Sequence, residues 1–139
     1  MSSEENKSIA SRIVYEFVNT GNTAAADALF ADTLIDHRPD QKDGDRETTK
    51  QFLLSLRTAF PDLKFAVEQV FGEKDMVVVH VAGKAVHKGV FMGIPATGKT
   101  VTIRGTTILR IANGKAVERW NITDIFGVMR QLGVKFIPA

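Results

Sequence analysis

The chain has 139 residues, no cysteine, and 18 basic against 16 acidic side chains, which leave a net charge of +2. This length suffices for one hydrophobic core and not for two, so we expect residues 1–139 to form a single domain. The lack of cysteine excludes disulfides and thiol chemistry. The scattered charges do not indicate nucleic-acid or membrane binding. No apolar run reaches membrane-spanning length and the polar start is unlike a signal peptide, so a cytoplasmic location is the default expectation.

The first half of the chain is predicted to be mainly helical. Serines followed by glutamates, with apolar residues recurring at helical spacing, predict a helix over residues 2–19. An alanine-rich helix is predicted over 22–30, and a short apolar run at 33–37 is a candidate strand. The charged stretch 38–45 is typical of a loop, and the aspartate at its end is the expected N-cap of a third helix. That helix ends before Pro61, because the residue before proline avoids the helical conformation.

From residue 63 onward the apolar pattern changes to a period of two, which is typical of β-strands. Strands are predicted over 63–71 and 76–86, followed by a looser connection, a hairpin centred on Asn113-Gly114 and a short final helix at 125–132. Three helices followed by four long strands, with a short strand between the helices, form an α+β pattern. We expect a bent antiparallel sheet to wrap over the helices and to enclose an apolar interior in the shape of a cone.

The Asn113-Gly114 pair is the strongest hairpin signal in the chain, because both central positions of a tight type I′ turn require positive φ. A regular register, with Ala112 facing Lys115, predicts the cross-strand pairs Leu109–Glu118, Thr107–Trp120, Gly105–Ile122 and Ile103–Asp124. One face of this hairpin would then be apolar except for Thr107 and two carboxylates. A carboxylate among such residues should hold its proton more tightly than in water. Asp124 is therefore the predicted acid/base.

Asp124 also stands just before the final helix, where aspartate is a favoured N-cap, and the two roles are not exclusive. An acid/base that forms an enolate needs hydrogen-bond donors for the enolate oxygen. The candidates are His37, His87 and Tyr15, in declining order of preference. The histidines lack the spacing of a local metal site, so we predict no metal. In an unbroken strand His80 and His87 would point to opposite faces, and a bulge would be needed to bring both inward.

Residues 93–100 match the phosphate-loop pattern letter for letter. A phosphate loop follows a strand and opens a helix, whose first backbone N–H groups hold the phosphate. Here a β-branched run at 101–107 follows and predicts a strand instead. We therefore interpret the match as a coincidence.

Several segments of the chain form a specific combination: Ala-Phe-Pro-Asp-Leu at 59–63, His-Lys-Gly-Val-Phe-Met-Gly-Ile-Pro-Ala-Thr-Gly-Lys at 87–99, Asn-Gly-Lys at 113–115 followed by Glu-Arg-Trp and Asp124, and Gln-Leu-Gly at 131–133. Together they resemble the SnoaL-like polyketide cyclases, the ester cyclase branch of the NTF2-like superfamily. The resemblance extends from about Tyr15 to Gly133. Ala96 stands where the family frequently has proline, and Arg119 stands where it often has histidine.

This resemblance implies an NTF2-like, cone-shaped α+β barrel in which a curved antiparallel or mixed sheet wraps around N-terminal helices. It also implies intramolecular aldol closure of a polyketide ester without metal or cofactor, with an aspartate at the position of Asp124 as acid/base. Family members often form homodimers, and outer apolar residues such as Ile108 would need cover.

The combined prediction is a cofactor-free cyclase that acts on a small apolar or aromatic carbonyl compound. Asp124 would remove a proton next to a carbonyl and return one to the new alkoxide, with His37 and His87 as further catalytic residues. Six side chains are expected to line the substrate cavity: Tyr15, Phe60, His80, Phe91, Thr107 and Trp120. Two alternatives stay open, namely a non-catalytic module that binds an apolar small molecule and an epoxide-hydrolase-like enzyme that activates water.

Overall fold

The computed structural model describes residues 2–38 and 41–137, so Pro39 and Asp40 of the predicted loop lie outside the described residues. The helices are α1 (Ser3–Arg12), α2 (Thr23–Leu29), α3 (Arg46–Ala59) and α4 (Ile125–Gln131). The strands are β1 (Phe30–His37), β2 (Lys64–Glu73), β3 (Met76–Val86), β4 (Thr100–Ala112) and β5 (Lys115–Thr123). They form one sheet in the order β1-β5-β4-β3-β2, in which β1 runs parallel to β5 and the other neighbours are antiparallel. The predicted α+β class with a curved, mixed sheet around the helices is confirmed.

The helices begin where the sequence predicted them. Ser2 forms a capping box at α1, Asn22 accepts hydrogen bonds from the first turn of α2, and Asp45 forms a capping box at α3. These side chains satisfy backbone N–H groups that have no partner within a helix. After α1 the chain continues as a π-helical segment, Ile13–Val18, which completes the predicted first helix.

The core lies between the helices and one face of the sheet, which we call the inner face. Alternate residues of β3 and β4 point toward it, and Val77, Val101 and Ile103 are almost completely buried. Phe17 of the π-helical segment contacts Phe30 at the start of β1 edge to face, with ring centroids 6.0 Å apart. Burial of each such side chain contributes about 1.5–3 kcal/mol, so this layer holds the helices against the sheet.

The turn of the β4–β5 hairpin is the predicted one. Asn113 and Gly114 have φ of 51° and 77°, as a type I′ turn requires, and Ala112 pairs with Lys115. Residues 93–100 lead into β4 and open no helix, which confirms that the phosphate-loop match is a coincidence.

A β-bulge follows the turn. Ile111 pairs with Ala116, whereas the preceding residue Arg110 pairs with Glu118, so Val117 is the extra residue on β5. A slip of one residue moves every later side chain of a strand to the opposite face, because side chains alternate with a period of two. The bulge therefore decides which side chains of β5 face the helices.

The regular register predicted beyond the turn is wrong for this reason. The observed cross-strand pairs are Leu109–Arg119, Ile108–Trp120, Thr107–Asn121, Thr106–Ile122 and Gly105–Thr123. Arg119, Asn121 and Thr123 consequently take the inward positions that had been assigned to Trp120, Ile122 and Asp124. The inner end of the hairpin is more polar than the sequence suggested.

No helix in the described part of the chain is long and apolar enough to span a membrane.

Deletion of Val117 tests the importance of the bulge. We expect the deletion to lower the free energy of unfolding by about 3 kcal/mol or more, because either the turn or the inner face of β5 must lose its register. Urea denaturation followed by circular dichroism measures this change. Val117→Ala keeps the extra residue and serves as the control with little loss. A deletion variant as stable as this control would show that the bulge is dispensable.

Candidate active site

Two neighbouring cavities lie between the helices and the inner face of the sheet. The inner cavity has a volume of about 60 Å³ and mainly apolar walls from α1, α3 and the sheet. The outer cleft has a volume of about 650 Å³, which is in the range of small-molecule binding sites. Five residues line both and mark where they meet: Phe52, Leu56, Arg119, Asn121 and Thr123.

A buried ion pair stands at this meeting point. Asp36 of β1 lies opposite Arg119 of β5 in the parallel register, and both side chains are less than a tenth exposed, at 5% and 9%. Arg119 Nη1 donates to Asp36 Oδ1 at 3.2 Å and to Oδ2 at 3.0 Å. Asp36 lines the outer cleft, and within the described residues no other carboxylate lines either of these cavities.

The carboxylate of Asp36 is fixed from the side of α3 as well. Thr49, which is fully buried, has its hydroxyl oxygen 2.7 Å from Asp36 Oδ2 and 2.8 Å from the backbone oxygen of Asp45. One hydroxyl proton serves one of these acceptors at a time. The backbones of Asp36 and Gly44 exchange hydrogen bonds of 2.9 and 2.8 Å. Both ends of Asp36 are therefore held in place.

The guanidinium of Arg119 keeps donors for a ligand. Burial lowers the pKa of Arg119, the neighbouring Asp36 raises it again, and the positive charge of Arg38 lowers it. Within the described residues the hydrogen bonds of this guanidinium all leave from Nη1, so Nε and Nη2 are without a protein acceptor there. Because Arg119 lines both cavities, these donors can serve a ligand in either one.

A short chain of polar side chains continues from Arg119 along the inner face. Thr107 donates to Asn121 Oδ1 at 2.7 Å, and Asn121 Nδ2 donates to Thr123 Oγ1 at 3.0 Å. Arg119, Asn121 and Thr123 are alternate residues of β5, so successive members are about 7 Å apart. The wall of the inner cavity thus has one polar strip on an otherwise apolar surface.

Asp124 does not lie in the predicted apolar environment. It is exposed, lines neither cavity, and accepts a hydrogen bond from the Gly127 N–H at 2.8 Å as the N-cap of α4. Its predicted placement depended on the regular register, which the bulge at Val117 removes. The capping role is confirmed, and the catalytic role stays a prediction.

His37 lies at the edge of the outer cleft, but carboxylates occupy its ring nitrogens. Its Nε2 is 2.8 Å from Glu118 Oε2 and its Nδ1 is 3.5 Å from Asp43 Oδ2. The ring stacks on Trp120 with centroids 4.8 Å apart. The hydrogen bond with Glu118 is the main cause that raises the pKa of His37, and Asp43 also contributes.

His87 is fully buried next to the aromatic ring of Phe60, and neither residue lines either cavity. The Thr97 N–H donates to His87 Nδ1 at 3.2 Å, which makes Nδ1 an acceptor and assigns the ring proton to Nε2. His87, which directly follows β3, thereby holds Thr97 near the end of the connection that leads into β4.

Some of the other predicted cavity residues line a cavity, and some do not. Phe91 lines the outer cleft and Thr107 the inner cavity. Tyr15 is 48% exposed, and its hydroxyl accepts from the Val67 N–H. The side chains of His80 and Trp120 are half-buried and line neither cavity, because their positions alternate with those of inward-facing neighbours. The structure thus brings His37, Phe91 and Thr107 to the cavities, but not Asp124, Tyr15, Phe60, His80, His87 or Trp120.

The sequence patterns did not identify Asp36, Arg119 and Asn121 as site residues. For Asp36 a signal was present, because Leu34 is buried and a side chain two residues later on the same strand shares its face. Within residues 2–38 and 41–137 no group of three or more His, Cys, Asp or Glu side chains is arranged to hold a metal.

The fold and the cavity agree with the outcome of the family comparison. The sequence model of the family of SnoaL-like polyketide cyclases matches residues 8–132. The chain therefore belongs to this family, as its sequence motifs predicted. No curated protein matches the sequence.

Solved structures of similar fold include a protein described as a candidate polyketide cyclase from Acidithiobacillus ferrooxidans. It is 32% identical, with coverage of 96% of this chain and 98% of that one and a TM-score of 0.79. AclR from Streptomyces galilaeus, described as a candidate hydroxylase, is 25% identical, with coverage of 99% and 87% and a TM-score of 0.87. IdmH from Streptomyces antibioticus, described as a candidate polyketide cyclase, is 25% identical, with coverage of 93% and 99% and a TM-score of 0.83.

The buried ion pair can be tested by its effect on stability. Asp36→Leu leaves the charge of Arg119 buried without its carboxylate, so we expect the free energy of unfolding to fall by about 3–5 kcal/mol. The double variant Asp36→Leu/Arg119→Met removes both charges and should recover much of this loss. Urea denaturation of the three proteins measures both effects. Additive losses in the double variant would show that the two side chains are not coupled.

The environment of His37 predicts a pH dependence. Because Glu118 raises the pKa of His37 in the folded protein, the charged pair stabilises the fold fully below the unfolded pKa of about 6.5. This contribution is lost as the pH rises through the higher folded pKa. The fluorescence of Trp120, the single tryptophan, should report the titration through the stacked rings. We expect a midpoint above about 6.5 that Glu118→Gln lowers, and an unchanged midpoint in this variant would contradict the assignment.

Proposed function

We propose that the chain is an enzyme that binds a small apolar or aromatic carbonyl compound in the outer cleft and closes a ring in it by a cofactor-free aldol reaction. Membership of the SnoaL-like family supports this reaction class. The observation that carries the proposal is the Asp36–Arg119 pair, a carboxylate and a cation that are both buried and that both line the outer cleft. Acid/base chemistry at carbon needs a base for the proton and a stabiliser for the negative charge that develops on the carbonyl oxygen.

In the proposed reaction Asp36 removes a proton from a carbon next to a carbonyl group. The electron pair of the C–H bond moves toward the carbonyl oxygen and gives an enolate, whose oxygen accepts hydrogen bonds from Arg119 Nε and Nη2. The enolate carbon then attacks a second carbonyl carbon of the same molecule. The new alkoxide takes the proton from Asp36, so the net change is an isomerisation with one new carbon–carbon bond.

The ion pair suits this sequence of steps electrostatically. Before proton transfer the negative charge is on Asp36, and afterwards it is on the enolate oxygen, with the Arg119 cation beside it in both states. No unpaired charge is created in the buried site, where isolated charges cost most. The hydrogen bond from Thr49 holds the carboxylate during the transfer.

Asn121 is suited to the second carbonyl group. Thr107 and Thr123 fix the orientation of its amide, and one amide hydrogen of Nδ2 is left after the bond to Thr123. It lies about 7 Å along the strand from Arg119, which is far enough to bind a different oxygen of the same ligand. In this proposal neither His37 nor His87 transfers protons to the substrate, because Glu118 occupies His37 Nε2 and His87 is buried outside both cavities.

A binding module without catalysis is the second candidate. It is favoured by the Asp36 Oδ2 atom, which already accepts from Arg119 and Thr49 and so has reduced capacity to accept a proton. The family resemblance offers a further site for the base, namely Asp124. Exchange of carbon-bound hydrogen distinguishes these three possibilities before the natural substrate is known.

The experiment follows deuterium uptake at the acidic carbon of a panel of aromatic β-keto esters by NMR, with the rate in buffer subtracted. We expect Asp36→Asn to lower the enzyme-dependent rate by about 10²-fold or more, since Asn cannot take the proton. Asp36→Glu keeps a carboxylate and should retain part of the rate. Asp124→Asn, the matched carboxylate control, should exchange within about twofold of the wild type.

Thermal denaturation of each variant confirms that it is folded before rates are compared. A loss of exchange in Asp124→Asn but not in Asp36→Asn would assign the chemistry to the residue that caps α4. A wild-type protein that binds the esters without enzyme-dependent exchange would support the binding module.

We also propose that the protein forms a homodimer. Apolar side chains on the outer side of the sheet support this, because Phe71 is 63% exposed and Ile108 lies beside the half-buried Trp120. Light scattering after gel filtration should give twice the chain mass of 15.3 kDa. A monomer at all accessible concentrations would contradict the dimer.

A further inference from the structure

A second arginine lies in the outer cleft, away from the proposed proton-transfer step. Arg38 directly follows β1 and lines the cleft together with Asp36 and Arg119. Its guanidinium packs over the backbone of Gly44, where an added Cβ would be 2.6 Å from Nη2 and 2.9 Å from Cζ. The missing side chain at Gly44 therefore leaves the space that this guanidinium occupies.

The charges around this part of the cleft are unequal. Among the described lining residues the permanently charged groups are Arg38 and Arg119, which are positive, and Asp36, which is negative. The two cations are close enough that the charge of Arg38 lowers the pKa of Arg119. His37 also lines the cleft. Its carboxylate partners, Glu118 and Asp43, do not, so they add no negative charge to the cleft wall. Among the permanently charged groups of the described lining the excess is one positive charge, which one negative charge on a ligand would balance.

Another part of the cleft wall has the reverse character. It consists of apolar side chains from the connection before β4 and from the end of β5, and three of them are largely exposed, namely Val90, Met92 and Ile122 at 65%, 64% and 75%. A ligand that covers these side chains must have an apolar body. The two parts of the wall together fit a molecule with an apolar body and a charged end.

We propose that the substrate of this cleft carries a free carboxylate, which Arg38 binds while the apolar body covers the exposed side chains of Val90, Met92 and Ile122. The inference rests on the proposed function in naming its substrate class. Arg38 can donate two parallel hydrogen bonds to a carboxylate, which a neutral ester cannot match. A single negative charge fits better than a phosphate dianion, because Asp36 already offsets one of the two cations.

Binding of a matched pair of probes tests this proposal. Naphthalene carboxylate and naphthalene carboxamide have the same shape and differ by one charge at neutral pH. We expect calorimetry to show that the carboxylate binds about tenfold more tightly or better, and that about 0.5 M salt reduces this preference. Arg38→Gln should remove the preference. Arg104→Gln changes the net charge equally at an exposed position outside both cavities and should keep it.

Gly44→Ala provides a second variant in which the net charge is unchanged. The added Cβ would lie 2.6 Å from Arg38 Nη2 and 2.6 Å from Thr48 Oγ1, so both side chains must move. Displacement of the guanidinium should lower the preference for the carboxylate. Equal affinities of the wild type for the two probes, binding of neither probe, or a preference that survives Arg38→Gln would each overturn the proposal.

The result is independent of the exchange experiment. A preference for the carboxylate in a protein that exchanges no carbon-bound hydrogen would support the charge recognition and reject the aldol chemistry. Exchange of keto esters in a protein without this preference would do the opposite.

Discussion

The hydrogen-bonded pair of Asp36 and Arg119 is the interaction on which the rest of the site depends. It joins β1 to β5 across their parallel register and places two charged groups where the inner cavity and the outer cleft meet. Removal of two such charges from water costs several kcal/mol, and apolar residues of similar size are often at least as stabilising. A buried pair beside a cavity is therefore better explained by chemistry or recognition than by stability, and the proposed function uses it in that way.

The β-bulge at Val117 turns Arg119, one member of this pair, toward the helices. Without the extra residue the alternation of β5 would turn Arg119 and Asn121 away from the helices and bring Trp120 inward. Bulges are frequent near functional sites because they redirect side chains while the rest of the sheet stays regular. In this protein the type I′ turn before the bulge and the strand β4 opposite it keep the predicted geometry.

Most of the fold could be predicted from the sequence, because capping residues, helical spacing and the Asn113-Gly114 turn are local signals. The predicted register of β5 was wrong because the observed register depends on a bulge that no local signal indicates. The regular pairing placed Asp124 in the cavity, and one unpaired residue reversed every assignment after it. Thr107 was placed correctly because it lies on β4, which has no bulge at that point. The inward direction of Asp36 could be deduced from its alternation with Leu34. Its pairing with Arg119 depends on the parallel contact between β1 and β5, which no sequence pattern indicates.

The parallel contact between β1 and β5 has a consequence for the order in which the protein becomes functional. Asp36 and Arg119 are separated by 83 positions in the chain, so the pair closes a long loop. Loops of this size close late relative to helices and hairpins, because their ends must first lose much conformational freedom. Any intermediate that lacks the β1–β5 contact, however compact and helical, has no complete site. Under the proposed function, a nascent or partly unfolded chain therefore lacks the catalytic pair until β1 pairs with β5.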